Sequence, residues 1–249
     1  MKIAVINFSG NVGKTTVSRH LLLPRIPEAE LISIESINAS SSGTDAQTLR
    51  GRQFGALQEY LQTIESAVVD IGASNVEDLL NLMQAYRGSH ADFDYFIVPT
   101  VPAIKQQKDT IATLVDLAQL GVPAERIKVI FNMVEAGTSV KHAFYLVDAF
   151  LAEHLIATGD IACSLGANEL YERLRGTETD LRTLARDPTD FKALIAQAPG
   201  AQEKLALAQR LATCRLASGI VPELDACFAA LQLKTLHAFP GDTGGRETA

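Results

Sequence analysis

The chain has 249 residues, 47% of them hydrophobic and 20% charged, and a formal net charge of −7. That balance describes one large globular domain, or a domain with an appendage, and excludes a wholly disordered chain. The acidic total also excludes a dominant, delocalised nucleic-acid surface, though not a small basic patch. No apolar run approaches the roughly 18 residues of a membrane span.

The N-terminus enters a strand-like run directly, Ile3 to Ile6, so no signal peptide is expected. A loop with two glycines and a helix over about Lys14–Leu23 follow, and Pro24 and Pro27 punctuate the helix end. The second apolar run is Leu31–Ile34. Asn38–Asp45, with its Ser40-Ser41-Ser42-Gly43, reads as a mobile loop, and a helix is predicted around Thr48–Gln62. The third run, Ser66–Ile71, precedes a helix at Val76–Tyr86. The fourth, Tyr95–Pro99, precedes one near Lys105–Leu120, and the fifth, Ile127–Phe131, one near Val140–His154. A weaker sixth strand is expected within Ile156–Ile161.

Beyond Asn168 the pattern turns helical, with segments at Glu169–Arg175, Thr177–Ala185, Thr189–Ala196, Ala201–Ala217 and Pro222–Gln232. Strands apolar on both faces and alternating with helices imply a parallel sheet covered on both sides. With right-handed crossovers this is a doubly wound α/β layer carrying a helical C-terminal region. The expected divisions are 1–167 for the α/β core, 168–236 for a helical extension packed on it, and a disordered tail from 237. Cys163, Cys214 and Cys227 are widely spaced. They read as small buried hydrophobes, which suits a reducing cytoplasm.

The chemistry concentrates after the first strand, in Ser9-Gly10-Asn11-Val12-Gly13-Lys14-Thr15-Thr16. Backbone N–H groups of a strand–loop–helix turn can wrap a β-phosphate, helped by the helix N-terminus. Lys14 is placed to reach the β- and γ-phosphates and the Thr15 hydroxyl to ligate Mg²⁺. Gly13 permits close backbone approach. The general pattern G-x-x-x-x-G-K-[ST] fails at its first glycine, which is Phe8 here, but the Gly13-Lys14-Thr15 core is intact. Mg²⁺ also needs a carboxylate at a neighbouring strand end, and Val68-Val69-Asp70 supplies one.

The stretch 6–16 resembles the deviant Walker A motif of the ParA/MinD ATPases, K-G-G-x-G-K-T-[ST]. Gly10, Gly13, Lys14, Thr15 and Thr16 match; Asn11 replaces the second glycine, and Ser9 stands where the family carries a signature lysine. Together with Ile34-Glu35-Ser36-Ile37-Asn38, the pattern looks most like the StbB-type plasmid stability proteins. The resemblance implies ATP with Mg²⁺, an ATP-dependent homodimer, and a plasmid-encoded DNA-binding partner. It places Asp70 on the Walker B strand. It matches Glu35 to the first acid of a D-x-D-like element, a further metal ligand, with Ile37 where a water-positioning acid would stand. It gives Asn132 the adenine edge, which favours ATP over GTP.

Two losses, at Ser9 and at Ile37, imply good binding and slow or absent hydrolysis, with Lys14 the one catalytic group retained. The densest basic region, Arg173, Arg175, Arg182 and Arg186, leaves direct nonspecific DNA binding open, although acidic residues interleave it. The expected role is a nucleotide-switched partition or stability ATPase. The alternatives are a nucleotide-binding adaptor without turnover and a metabolic P-loop enzyme of the dethiobiotin synthetase type. The last would need a second pocket with Lys, Arg or Ser contacts.

Overall fold

The computed structural model describes residues 1–34, 45–174, 177 and 179–234, with 45–50 described by backbone alone. Glu35, the Ser-rich segment before residue 45 and the tail expected from 237 lie outside the described residues. Among the described residues six parallel strands form one sheet in the order β2-β3-β1-β4-β5-β6. They are β1 (Lys2–Val5), β2 (Glu30–Ile34), β3 (Ala67–Ile71), β4 (Tyr95–Thr100), β5 (Ile127–Val134) and β6 (Ser164–Gly166). Between them run α1 (Lys14–Thr16), α2 (Asp45–Thr63), α3 (Val76–Ala85), α4 (Ile104–Gln119), α5 (Val140–Ala143) and α6 (Tyr145–Glu153). After β6 come α7 (Leu170–Arg173), α8 (Leu181–Ala185), α9 (Phe191–Gln197) and α10 (Ala201–Ala230).

Chain direction decides which face each helix covers. From β1 the chain moves two places along the sheet to β2, and from there every step returns the other way. Right-handed crossovers therefore put α1 on one face and α2 to α6 on the other. The core divides accordingly. Ala4, Ile6, Val69, Phe96 and Phe131 face a cluster with Phe54, Leu80, Met83, Leu114 and Phe144. Their neighbours Ile3, Val5, Val68, Ile97 and Ile130 face Val17, Leu21 and Leu22 together with Leu170, Leu181, Ile220 and Leu224. This alternation is the two-residue period of a strand. The helices after β6 thus complete the layer that α1 alone is too short to supply.

Three local expectations change. The sixth strand is Ser164–Gly166, while Ile156–Ile161 contributes only a bridge from Thr158 to Lys128. The helix after the first loop keeps α-geometry for only three residues. It widens into a π-helical turn at Val17–Leu22 and tightens into a 3-10 turn at Leu23–Arg25. The two C-terminal helices expected on either side of Pro222 are one, α10, with Pro222 inside it. An interior proline costs about 3 kcal/mol. Here the ring sits on the exposed side, while Ala217, Ile220, Leu224, Cys227 and Leu231 bury a continuous stripe. Burial at about 1.5–3 kcal/mol per large apolar side chain outweighs the lost hydrogen bond. Cys163 and Cys227 are buried and Cys214 half-buried, all free thiols. Burial pushes the first two up to about 11 and about 12, which suits inert packing groups.

Candidate functional site

β1 lies at the centre of the sheet, between β3 and β4, where chain direction reverses. Crevices at such points, beyond the carboxyl ends of the strands, are where open α/β sheets hold ligands. The segment 7–13 occupies this crevice, and side-chain bonds from β4, α4 and β5 fix its course. Asn7 is buried; its amide donates to Pro99 O (2.9 Å) and Thr110 Oγ1 (2.8 Å), and its Oδ1 accepts from Ser9 N (2.7 Å). Phe8 N donates to Thr113 Oγ1 at 3.1 Å. Ser9 Oγ donates to Asp109 Oδ2 at 2.5 Å, and Lys105 ion-pairs with the same oxygen at 2.9 Å. The Ser9 and Lys105 contacts hold the Asp109 carboxyl below its ordinary range.

The second half of the loop needs left-handed backbone at two places, Asn11 (φ 58°) and Gly13 (φ 87°). Asn tolerates that region and Gly does so freely. Gly13 is doubly constrained, because a Cβ there would lie 2.1 Å from Asn132 Nδ2. Asn132 comes from β5 and is itself buried. Its amide donates to Val12 O (2.9 Å) and its Oδ1 accepts from Met133 N (2.9 Å). Asn132, matched to the adenine edge, thus also props the loop through one of its donors and one of its acceptor positions.

Lys14 opens α1 and turns back into the loop. Its Nζ donates to Ser9 O (2.7 Å) and Asn7 O (3.1 Å), and burial lowers its pKa from 10.5 to about 8, partly opposed by the charge of Asp70. An ammonium held by two carbonyls beside backbone N–H groups is a receptor for a phosphate oxyanion. Pairing of β1 with β3 sets Val5 opposite Asp70, which delivers the carboxylate to the loop's far side. There Thr15 Oγ1 donates to Asp70 Oδ2 at 2.7 Å. A hydroxyl and a carboxylate in contact are hard oxygen donors. They suit Mg²⁺ held jointly with phosphate oxygens and water rather than in an all-protein cage. The predicted loop residues, Asp70 and Asn132 are thus brought together. For Glu35 the described chain stops one residue short, at Ile34, whose carbonyl accepts from Asn75 Nδ2 at 2.9 Å.

A cavity of about 1340 Å³ opens over this constellation, walled by Gly10, Lys14, Thr15, Asn132, Asn168 and Tyr171 among others. Asn168 and Tyr171 were not singled out from sequence, nor was the α4 latch. Its signal is faint but real: Thr110 and Thr113, which bond Asn7 and Phe8, are polar residues at helical spacing, and both are buried. Of the four basic residues singled out, Arg173 pairs with Glu169 and Arg182 with Asp225. Arg175 lies outside the described residues, and Arg186 sits just past the end of α8.

No protein-family model and no curated protein matches the chain. Solved structures do. An ATP complex of a McdA variant from Cyanothece superposes with a TM-score of 0.51 at 14% identity, covering 95% of this chain and 98% of that one. Apo McdA from Cyanothece gives 0.49 at 15%, covering 84% and 98%. The MinD cell division protein of Aquifex aeolicus gives 0.47 at 12%, covering 84% and 96%. At such identities the likeness to the McdA complex is one of fold, and the fold is that of a P-loop nucleotide-binding protein.

Proposed function

We propose that this chain is an ATP-binding, ParA-like switch acting in plasmid stability, partition or positioning. One observation carries the reading: Lys14 is folded back under a loop whose shape is imposed by Asn7, Gly13 and Asn132, with Thr15 and Asp70 in contact beside it. Such a site grips a triphosphate. Loop amides and Lys14 bind the β- and γ-phosphate oxygens, and Thr15 and Asp70 hold Mg²⁺, with Glu35 as a further ligand. Mg²⁺ would supply charge neutralisation on the β- and γ-oxygens.

Turnover is assigned as slow or absent. Ser9 carries no charge, and its hydroxyl is spent on Asp109, so the loop contributes only Lys14 as a cation toward the γ-phosphate. Loss of a transition-state cation slows hydrolysis by orders of magnitude. The bound state is read as a homodimer that recruits a plasmid-encoded DNA-binding partner, with nonspecific DNA contact by the chain itself as the secondary reading. The alternative is an adaptor that binds ATP without turnover and tethers a DNA-binding partner to a cellular site, and phosphate release separates it from a slow switch.

The test is titration of a fluorescent ATP analogue with Mg²⁺, with Lys14→Ala as control and phosphate release followed in parallel. Saturable binding weakened about 100-fold by Lys14→Ala, the loss of two charge-assisted contacts, is the expected result. Binding indifferent to Lys14→Ala overturns the site. Rapid phosphate release abolished by the same substitution overturns slow turnover.

A further inference from the structure

The phosphate loop forms one wall of the cavity above it, and the segment from Gly166 to Tyr171 forms another. That second wall is fixed by the chain itself. Gly166 N donates to Glu223, and Ala167 N donates to Val134 O at 3.0 Å, which ties the segment to α10 and to the end of β5. Asn168 Oδ1 accepts from Leu170 N at 3.0 Å, and the buried Leu170 and Leu174 anchor α7 in the core. Tyr171 is thereby carried to the turn that continues α1. There its ring meets that of His20, with centroids 5.8 Å apart and planes inclined by 35°.

Tyr171 and His20 are the only rings among the residues lining this cavity. Both are half-buried, so core packing takes part of each and the cavity takes the rest. Burial, then the charge of Arg19, lowers the pKa of His20 against the opposing pull of Asp180. A neutral imidazole presents a flat face without a charge. His20 stands in the π-helical turn at Val17–Leu22, a geometry frequent at functional sites. A group joined to phosphates held at 10–16 extends into the space that this wall bounds. Aromatic faces favour flat aromatic ligands, in stacked or edge-to-face arrangements.

We propose that Tyr171, backed by His20, holds the nucleobase by contact with its ring face rather than by reading its edge. This role rests on the reading of residues 10–16 as a triphosphate site, and it adds a selectivity to that site. Every base offers a ring face, and a purine offers more of it than a pyrimidine. Tyr171 therefore sets a preference for purine over pyrimidine triphosphates. The choice between adenine and guanine is left to hydrogen-bonding side chains such as Asn132.

A non-hydrolysable ATP analogue, the matching CTP analogue and inorganic tripolyphosphate, each with Mg²⁺, are titrated calorimetrically into the full chain. The ATP analogue should bind more tightly than the CTP analogue. Tyr171→Ala should weaken the ATP analogue about tenfold, the loss of one stacking contact, shrink its advantage over CTP, and leave tripolyphosphate unchanged. Tyr171→Phe should bind as the parent chain does. Tyr171→Leu keeps the bulk without the ring and carries the test if Tyr171→Ala fails to fold. An ATP affinity indifferent to loss of the ring overturns the role of Tyr171. So does equal weakening of ATP and tripolyphosphate, or a Tyr171→Phe variant as weak as Tyr171→Ala. In each of these cases Lys14-dependent binding of tripolyphosphate leaves the triphosphate site standing. No Lys14-dependent binding of any of the three ligands overturns the site and the role of Tyr171 together.

Discussion

The Lys14 amine sits among carbonyls, and burial holds its pKa near 8. A lysine depressed in the folded chain binds protons less readily there than in the unfolded chain. Its charge therefore penalises the empty protein fully below pH 8, and the penalty fades as pH rises from about 8 toward 10.5. A bound phosphate restores the proton. At pH 8, ATP binding should take up about half a proton, seen as a dependence of calorimetric enthalpy on buffer ionisation heat; identical heats in phosphate and Tris buffers would contradict this. Gly13 yields a second prediction. Its positive φ and its contact with Asn132 leave no room for a methyl group, so Gly13→Ala should lower ATP affinity at least about tenfold. Asn132→Ala, which relieves the clash, should restore part of that loss in Gly13→Ala, as a double-mutant titration would measure.

Between elements, the helices after β6 matter as cover for the sheet. Leu224 is fully buried against strands and the π-helical turn. Leu224→Ala should cost about 2–5 kcal/mol in urea unfolding, whereas Leu205→Ala, on a side chain 60% exposed, should change stability little. The same elements show which features sequence makes legible. β1, β3, β4 and β5 are buried apolar runs of four to eight residues, and the phosphate loop is contiguous with its strand and helix, so local pattern suffices. β6 is three residues at the sheet edge, with no pattern of its own. It is held by β5 and by Glu223, which accepts from Gly166 N. The Ser9–Asp109 latch joins residues 100 apart in the chain, a distance at which no spacing rule operates. Pro222 misleads in the opposite direction, because tertiary burial overrides its helix-breaking tendency.

For the molecule as a whole, the carboxyl edge of the sheet carries more than the loop. Ile104 begins α4, Met133 lies one residue before the end of β5 and Tyr145 begins α6. All three are large apolar side chains left 41–52% exposed on the rim. A bound triphosphate would add a charged, ordered surface beside that apolar rim, and a second copy of the chain could bury both. Light scattering after size exclusion should therefore report a doubled mass with Mg²⁺–ATP and a single mass with ADP or no nucleotide; an unchanged mass in ATP would remove the dimeric switch.

α10 has a mechanical consequence. Its 30 residues make a rod about 45 Å long. The half from Ala217 onward is seated on the sheet, and the half before it carries α9 outward, with Arg210 stacked on the Phe191 ring at 5.5 Å. The seated half touches the cavity over residues 10–16 through the Glu223 contact with Gly166. A helix tilting as one body about Ala217 moves more at its far end than at its base. A tilt of about 5° there sweeps the far tip through about 2 Å, given the roughly 24 Å of helix beyond the pivot. Motion too small to register at the phosphate loop would arrive at Ala201 as a displacement a docked partner could feel.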